Sequence, residues 1–296
     1  MKRTPVRTPR FLPYFLVAPT LVFVVVFTLL PLVEALVGSL FKQRLNIPKF
    51  QEPVFYGLGN FADLFGDQEF LQVLANTGLY VLILVPLSLL VALLLAFLVE
   101  DKLKGLAAFR LALFHPTVLP MVSAATVWMF FFTPDYGLWN QGLHLLGYSG
   151  AQNWAGNPGL ALGALMLVAF WKNVGFFMLF FLAGLQGLDH SVIEAAQLDG
   201  ARGWRMTRRI VLPLIRRQTV FVTSIAFIGA FQTVDHVFVL TQGGPSGTSS
   251  LLLYQLWQTR FERLNVGQGD AITVLLVAVL LAITVTNFFW GEHREK

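Results

Sequence analysis

Six long apolar stretches, at about 11–40, 71–99, 109–133, 159–187, 217–241 and 271–290, divide this chain of 296 residues into spans and short polar connections. An α-helix needs roughly 20 apolar residues to cross a hydrocarbon core about 30 Å thick, and each stretch meets that length. Barrel strands would instead read as alternating segments of about ten residues, a pattern the chain lacks. The pattern predicts an all-α integral membrane protein of six transmembrane helices in a single domain over 1–296. The connections at about 42–70, 134–158, 188–216 and 242–270 are each too short to fold alone. Pro86 in the second span, with Pro116 and Pro120 in the third, predicts kinks there. Kinks are tolerated where neighbours or a wet cavity satisfy the freed carbonyls.

Composition supports the same class: 56% of residues are hydrophobic and only 12% charged, against about a quarter charged in soluble domains. Charge then gives an orientation. Lys2, Arg3, Arg7, Arg10, Lys102, Lys104, Arg110, Arg202, Arg205, Arg208, Arg209, Arg216, Arg217, Arg294 and Lys296 fall on one set of alternating segments. The other set carries only Lys42, Arg44, Lys49, Arg260 and Arg263. The positive-inside bias therefore places both termini in the cytoplasm. The net charge of +5 follows from this asymmetry and does not indicate a nucleic-acid surface. With no cysteine, disulfides and thiolate metal sites are excluded. The first apolar run is too long for a signal peptide's apolar region and is expected to remain as the first span. Tyr56, Phe61, Phe65 and Phe70 in the first external loop, and Trp139, Tyr148 and Trp154 in the second, are expected in the interfacial aromatic belts.

The connection at 188–216 is the least ordinary part of the chain. Ser191 and Glu194 have the spacing of a capping box, so a helix is expected to start at Ser191. Gly200 is its natural left-handed stop, giving about nine residues, or roughly 13 Å. A helix that short needs packing to hold it, and Ala195 and Ala196 are small enough to let another backbone approach. A second, basic helix over roughly 202–211 should follow, with Pro213 ending or bending it. Two readings stay open for this loop: it folds back on its own protein, or it docks on a separate soluble partner. Glu194 and Asp199 have no nucleophile or metal partner beside them, so a catalytic carboxylate pair is set aside.

The run Glu194-Ala-Ala-Gln-Leu-Asp-Gly-Ala201, with Ile210, Leu212 and Pro213 ten residues on, resembles the EAA loop of ABC importer permeases. Further pieces resemble the carbohydrate branch of that superfamily: Leu12 to Pro19, Gly59-Asn60-Phe61, Trp171-Lys172-Asn173, Leu182 to Gln186 and Leu240 to Pro245. Within that branch the chain is most similar to the six-helix subunit of glycerol-3-phosphate and oligosaccharide importers. Thr207 and Arg217 depart from the family pattern, which usually has an aromatic and a second proline there. The resemblance implies the type I importer permease fold and a subunit paired with a second permease in the inner membrane of a prokaryote. Ser191, Glu194, Ala195, Ala196, Asp199, Gly200, Ala201, Ile210, Leu212 and Pro213 would then seat on a cytoplasmic ATPase dimer. An external solute-binding protein would deliver the solute. The chain has no Gly-x-x-x-x-Gly-Lys-Ser/Thr loop, so ATP and its magnesium are expected on the ATPase, and no cofactor or metal in this chain.

Polar residues inside the spans are the remaining candidates. A lysine at the centre of a span costs about 2.5–3.5 kcal/mol on insertion scales, so Lys172 requires compensation. Trp171, Lys172, Asn173, Gln232 and Asp235 form the expected solute pathway, with His236 beside them. A structural reading competes: Lys172 pairs with Asp235, or supports backbone at a helix break. An anion site normally gathers several cations or helix N-termini, and the spans show no such cluster. The expected solute is therefore a neutral sugar, with glycerol-3-phosphate or a glycerophosphodiester as the rival. An ion-coupled secondary transporter would leave the loop motif unexplained, and a membrane enzyme would need an acid–base or metal cluster in the spans.

Overall fold

The computed structural model describes residues 12–100, 105–148, 150 and 152–292. The basic residues at 2, 3, 7, 10, 102, 104, 294 and 296, on which part of the orientation argument rests, lie outside the described residues. Helix α1 (Leu12–Val24) passes through a π-helical turn (Val25–Leu29) into α2 (Leu30–Gly38). A two-residue hairpin, β1 (Phe41–Lys42) against β2 (Val54–Phe55), leads to α3 (Gly59–Phe65) and the long α4 (Gln68–Leu98). There follow α5 (Leu106–Val118), α6 (Met121–Phe131), α7 (Leu138–Leu145), α8 (Ala161–Gln186) and α9 (His190–Leu198). Next are α10 (Gly203–Met206), a π-helical turn (Thr207–Val211), α11 (Leu212–Leu214) and α12 (Arg216–Phe231). The chain closes with α13 (Asp235–Leu240), α14 (Leu252–Trp257) and α15 (Val266–Glu292).

Among the described residues five helices are long and apolar enough to cross a membrane, and α5 with α6 make a sixth such segment if the bent pair counts as one span. The expected kink in the third span is a break: α5 and α6 are bent by 100°. Pro116 removes an amide donor in the last turn of α5, and Pro120 forces Leu119 into an extended conformation (φ −67°, ψ 137°). Pro86, by contrast, sits inside α4 without interrupting it.

The chain divides into two compact units. One comprises residues up to Leu64 together with Thr259–Leu275. There the Asn60 amide, 1% exposed, donates to the carbonyls of Ser39 and Phe41, both at 2.8 Å. That gives the Gly-Asn-Phe motif a physical role: it locks the end of α2 to the hairpin. The Arg260–Asp270 ion pair holds the C-terminal part of this unit to itself, and the backbone bond from Leu45 N–H to Leu264 O (3.0 Å) ties it to the N-terminal part. Gly38 lies directly against the Asp270 carboxylate, so any side chain there would displace it.

The other unit comprises Phe65–Gln258 and the chain from Leu276 onward. Its core is α4 packed on α8. Phe70, Val73, Thr77, Tyr80, Leu84, Ser88, Ala92 and Ala96 recur every three or four residues along the buried face of α4. The carbonyl of Val99, at the end of α4, accepts from Arg110 Nε at 3.0 Å and from Nη2, so a cation meets the negative end of that helix. The side chain of Asn287 donates to Val220 O (3.1 Å) and Ser224 Oγ (2.6 Å), fixing the last helix to α12. Aromatics expected in the belts are partly internal. Phe70 is fully buried, and Trp154 donates its Nε1 to Asn140 Oδ1 at 2.9 Å beside Trp139. An indole finds its hydrogen-bond partner within the fold here, so these rings pack on protein.

At the crossing of α5 and α8, Gly175 faces the Leu113 carbonyl so closely that even a methyl group would strike it. Gly175→Ala is expected to destabilise the protein by about 1–3 kcal/mol. Gly163→Ala, on the same helix with open space beside it, should be neutral or slightly stabilising. Thermal melting of the two variants in detergent checks the contrast.

Candidate functional site

Two broken helices meet around one cavity. The first break separates α5 from α6, and the second leaves 232–234 outside the helices α12 and α13. Between them a cavity of about 240 Å³ is lined by Lys172, Asn173, Gln232, Thr233 and Asp235 with Tyr80 and Ser88 of α4. Four of the five residues expected along a pathway, Lys172, Asn173, Gln232 and Asp235, therefore face one space.

Trp171 does not. Its ring packs on Trp128, centroids 5.7 Å apart, within an aromatic cluster that includes Phe131, Phe132, Trp139 and Trp154. The cavity face of α8 is Ala169, Lys172, Asn173, Phe176 and Phe177, a spacing of three, four, seven and eight residues. Each residue turns about 100° around a helix, which carries Trp171 off that face.

Lys172 is held by backbone. Its ammonium donates to Thr117 O at 3.1 Å, while the Thr117 hydroxyl donates to Lys172 O at 2.9 Å. The lysine thus supports the broken third span, as the helix-break reading expected, and the pairing with Asp235 is a matter of sharing one cavity. Asn173 donates to Ala169 O at 2.9 Å, which fixes its amide plane against its own helix.

The loop helix α9 has the expected length and stop but a different start. Its N-cap is Asp189, in an extended conformation, whose carboxylate accepts from Ser191 N–H at 2.9 Å. Ser191 is therefore inside the first turn, and the expected capping box does not form its entry. Aspartate caps as well as serine, and this carboxylate reaches the first orphan amides before Ser191 can. Gly200 has φ +83° just past the C-cap Asp199, and Ala201 N–H bonds back to Ala196 O at 2.9 Å. Ala196 is buried; Ser191, Glu194, Ala195, Asp199, Gly200 and Pro213 are exposed, and Ala201, Ile210 and Leu212 are half-buried. The expected basic helix over 202–211 is two pieces, α10 and a π-helical turn, because a wider turn opens at Thr207. Pro213 does not end it: it sits in the first turn of α11, and the break falls at Ile215. Leu198 is 90% exposed and Trp204 70% exposed, two large apolar side chains standing out of a polar loop. A solitary apolar residue in the middle of a polar motif was the available signal for both.

No protein-family model matches the chain. The sn-glycerol-3-phosphate transport system permease protein UgpA of Yersinia pestis is 34% identical over 287 residues, covering 97% of this chain and 96% of that protein. The UgpA proteins of Brucella abortus and Rhizobium meliloti are each 32% identical over 286 residues, covering 96% of both chains. The chain belongs to this family of ABC importer permeases. The permease also shares its fold with a chain of a bacterial ABC transporter involved in the import of the acidic polysaccharide alginate. There the TM-score is 0.79 at 21% identity, over 97% of this chain and 96% of that one. A chain of the alginate transporter in complex with alginate pentasaccharide-bound periplasmic protein matches at a TM-score of 0.78 and 21% identity, over 96% and 94% of the two chains.

The permease holds Lys172 on a carbonyl, and this separates its two structural readings by experiment. Lys172→Met leaves Thr117 O without that donor and is expected to cost about 1 kcal/mol, the low end of the range because the site opens on a cavity. Asp235→Asn should leave the melting temperature unchanged. A cost from Asp235→Asn equal to that of Lys172→Met would restore the ion-pair reading.

Proposed function

We propose that this permease is a six-span chain with both termini on the cytoplasmic side of a prokaryotic inner membrane. It pairs with a second permease to form the pathway of an ATP-driven importer, acting as one permease domain over its length. A dimer of separate ATPase subunits binds ATP and magnesium and hydrolyses the nucleotide, and an external binding protein delivers the solute. Near full-length similarity to permeases named for solute transport supports the class, and the geometry of α9 carries the mechanism. Nine residues, capped at both ends and backed by the buried Ala196, present Glu194, Ala195 and Leu198 outward. A short rigid helix transmits a displacement without melting, so it couples closure of the ATPase pair to the spans. ATP must favour one state of the permease over the other by its differential contacts, since equal affinity shifts nothing.

The solute is a neutral sugar in this reading. Among the described residues Lys172 is the one cation that lines the cavity, it is committed to Thr117 O, and a carboxylate faces the same space. The names of the relatives favour a second reading, uptake of sn-glycerol-3-phosphate.

The experiment is reconstitution of the complete importer in vesicles, with uptake and ATP hydrolysis measured together. Glu194→Lys and Gly200→Val should insert normally yet lower uptake about tenfold or more while ATP hydrolysis continues, a loss of coupling near 1.4 kcal/mol. Val at Gly200 adds the strain of a β-branched residue at φ +83°. Normal uptake in both variants would remove the coupling assignment.

A further inference from the structure

The cavity carries a set of hydroxyls that the sequence motifs do not include. Ser88 is 1% exposed, lines the cavity, and its Oγ has no hydrogen-bond partner. A buried hydroxyl left unpaired costs free energy, and a native fold keeps one where a ligand or water completes it. Tyr80 and Thr233 line the same space. Behind them His236, fully buried, lies with Nε2 at 3.2 Å from the Tyr80 hydroxyl and Nδ1 at 3.4 Å from Thr233 Oγ1. A neutral imidazole has one donor and one acceptor nitrogen, so it bridges two hydroxyls whichever tautomer it adopts. The ring therefore fixes both oxygens at the wall while staying out of the cavity lining itself.

We propose that Ser88, Tyr80 and Thr233 form a hydroxyl-reading subsite for an uncharged polyol or sugar, with His236 as the positioning residue that sets two of the three. This rests on the reading of the cavity as the solute pathway. Hydroxyls both donate and accept, which matches a ligand whose own groups do the same. The charges nearby balance: Lys172 brings one cation and Asp235 one anion. A phosphate would meet one committed ammonium and a repelling carboxylate, whereas a sugar meets three neutral oxygens, the Gln232 amide and the Asp235 carboxylate as an acceptor. The spacing of Tyr80, Leu84, Val85 and Ser88 puts the two hydroxyls of α4 on one helical face, about two turns apart.

The test uses the reconstituted importer, trapped with ATP and vanadate, and measures retention of labelled glycerol, maltose, maltotriose and sn-glycerol-3-phosphate. The expected result is retention of a neutral probe in preference to glycerol-3-phosphate. Ser88→Ala and His236→Leu should each weaken that retention about five- to tenfold, the loss of one hydrogen bond. His236→Gln, whose amide can still serve both hydroxyls, should recover most of it. A purely structural His236 would lower melting temperature without changing the order in which the probes are preferred. Preference for glycerol-3-phosphate, or unchanged retention in Ser88→Ala and His236→Leu, overturns the subsite. So does retention of no probe by an importer that performs ATP-driven uptake. An assembly with no ATP-driven uptake at all fails earlier, at the proposed function itself.

Discussion

The reciprocal pair between Thr117 and Lys172 is the interaction on which the site depends. Two prolines within five residues remove backbone donors where α5 meets α6 and leave 119–120 outside both helices. A break in apolar surroundings leaves carbonyls that neither water nor lipid can satisfy. Lys172 reaches across from α8 to one of them, and the Thr117 hydroxyl returns a bond to the lysine's own carbonyl. The lysine's insertion cost and the broken helix's unpaired carbonyl offset each other. Both features would be costly alone; together they hold open a polar space where a straight helix would have packed.

The second broken helix completes that space. Gln232 caps α12 and Asp235 opens α13, so these polar groups fall at the interruption between the two helices rather than along a continuous face. His236 ties the same region to α4 through Tyr80. The cavity is thus bounded by groups whose positions are set by backbone geometry. Far from it in sequence, α9 is set by its own local chemistry: an aspartate at the start, a left-handed glycine at the end and one buried alanine between.

Much of this was legible in the sequence, for identifiable reasons. Long apolar runs report spans directly, because lipid permits only helices or closed barrels. Gly200 marked the stop of α9 because few other residues accept its φ. The start is not legible in the same way, because Asp189 and Ser191 are both competent caps and only their backbone angles choose between them. The carbonyl beside the break between α5 and α6 is met by Lys172, 55 residues away, which no local rule sees. Trp171 shares its residue type with a sugar pathway, yet one position along a helix turns its side chain away from the cavity into an aromatic cluster. Ser88 and Tyr80 carried no motif at all. Their meaning comes from facing a cavity, one with its hydroxyl unpaired and the other bonded to a buried imidazole.

The most direct measurement is purification of the tagged chain from its native membrane in mild detergent, with every co-eluting protein identified and counted. The account predicts one further permease of similar length and two copies of an ATPase that carries a phosphate loop, in a fixed ratio to this chain. Recovery of the chain alone, or as a homodimer that moves solute on a proton or sodium gradient with ATP exhausted, would contradict it.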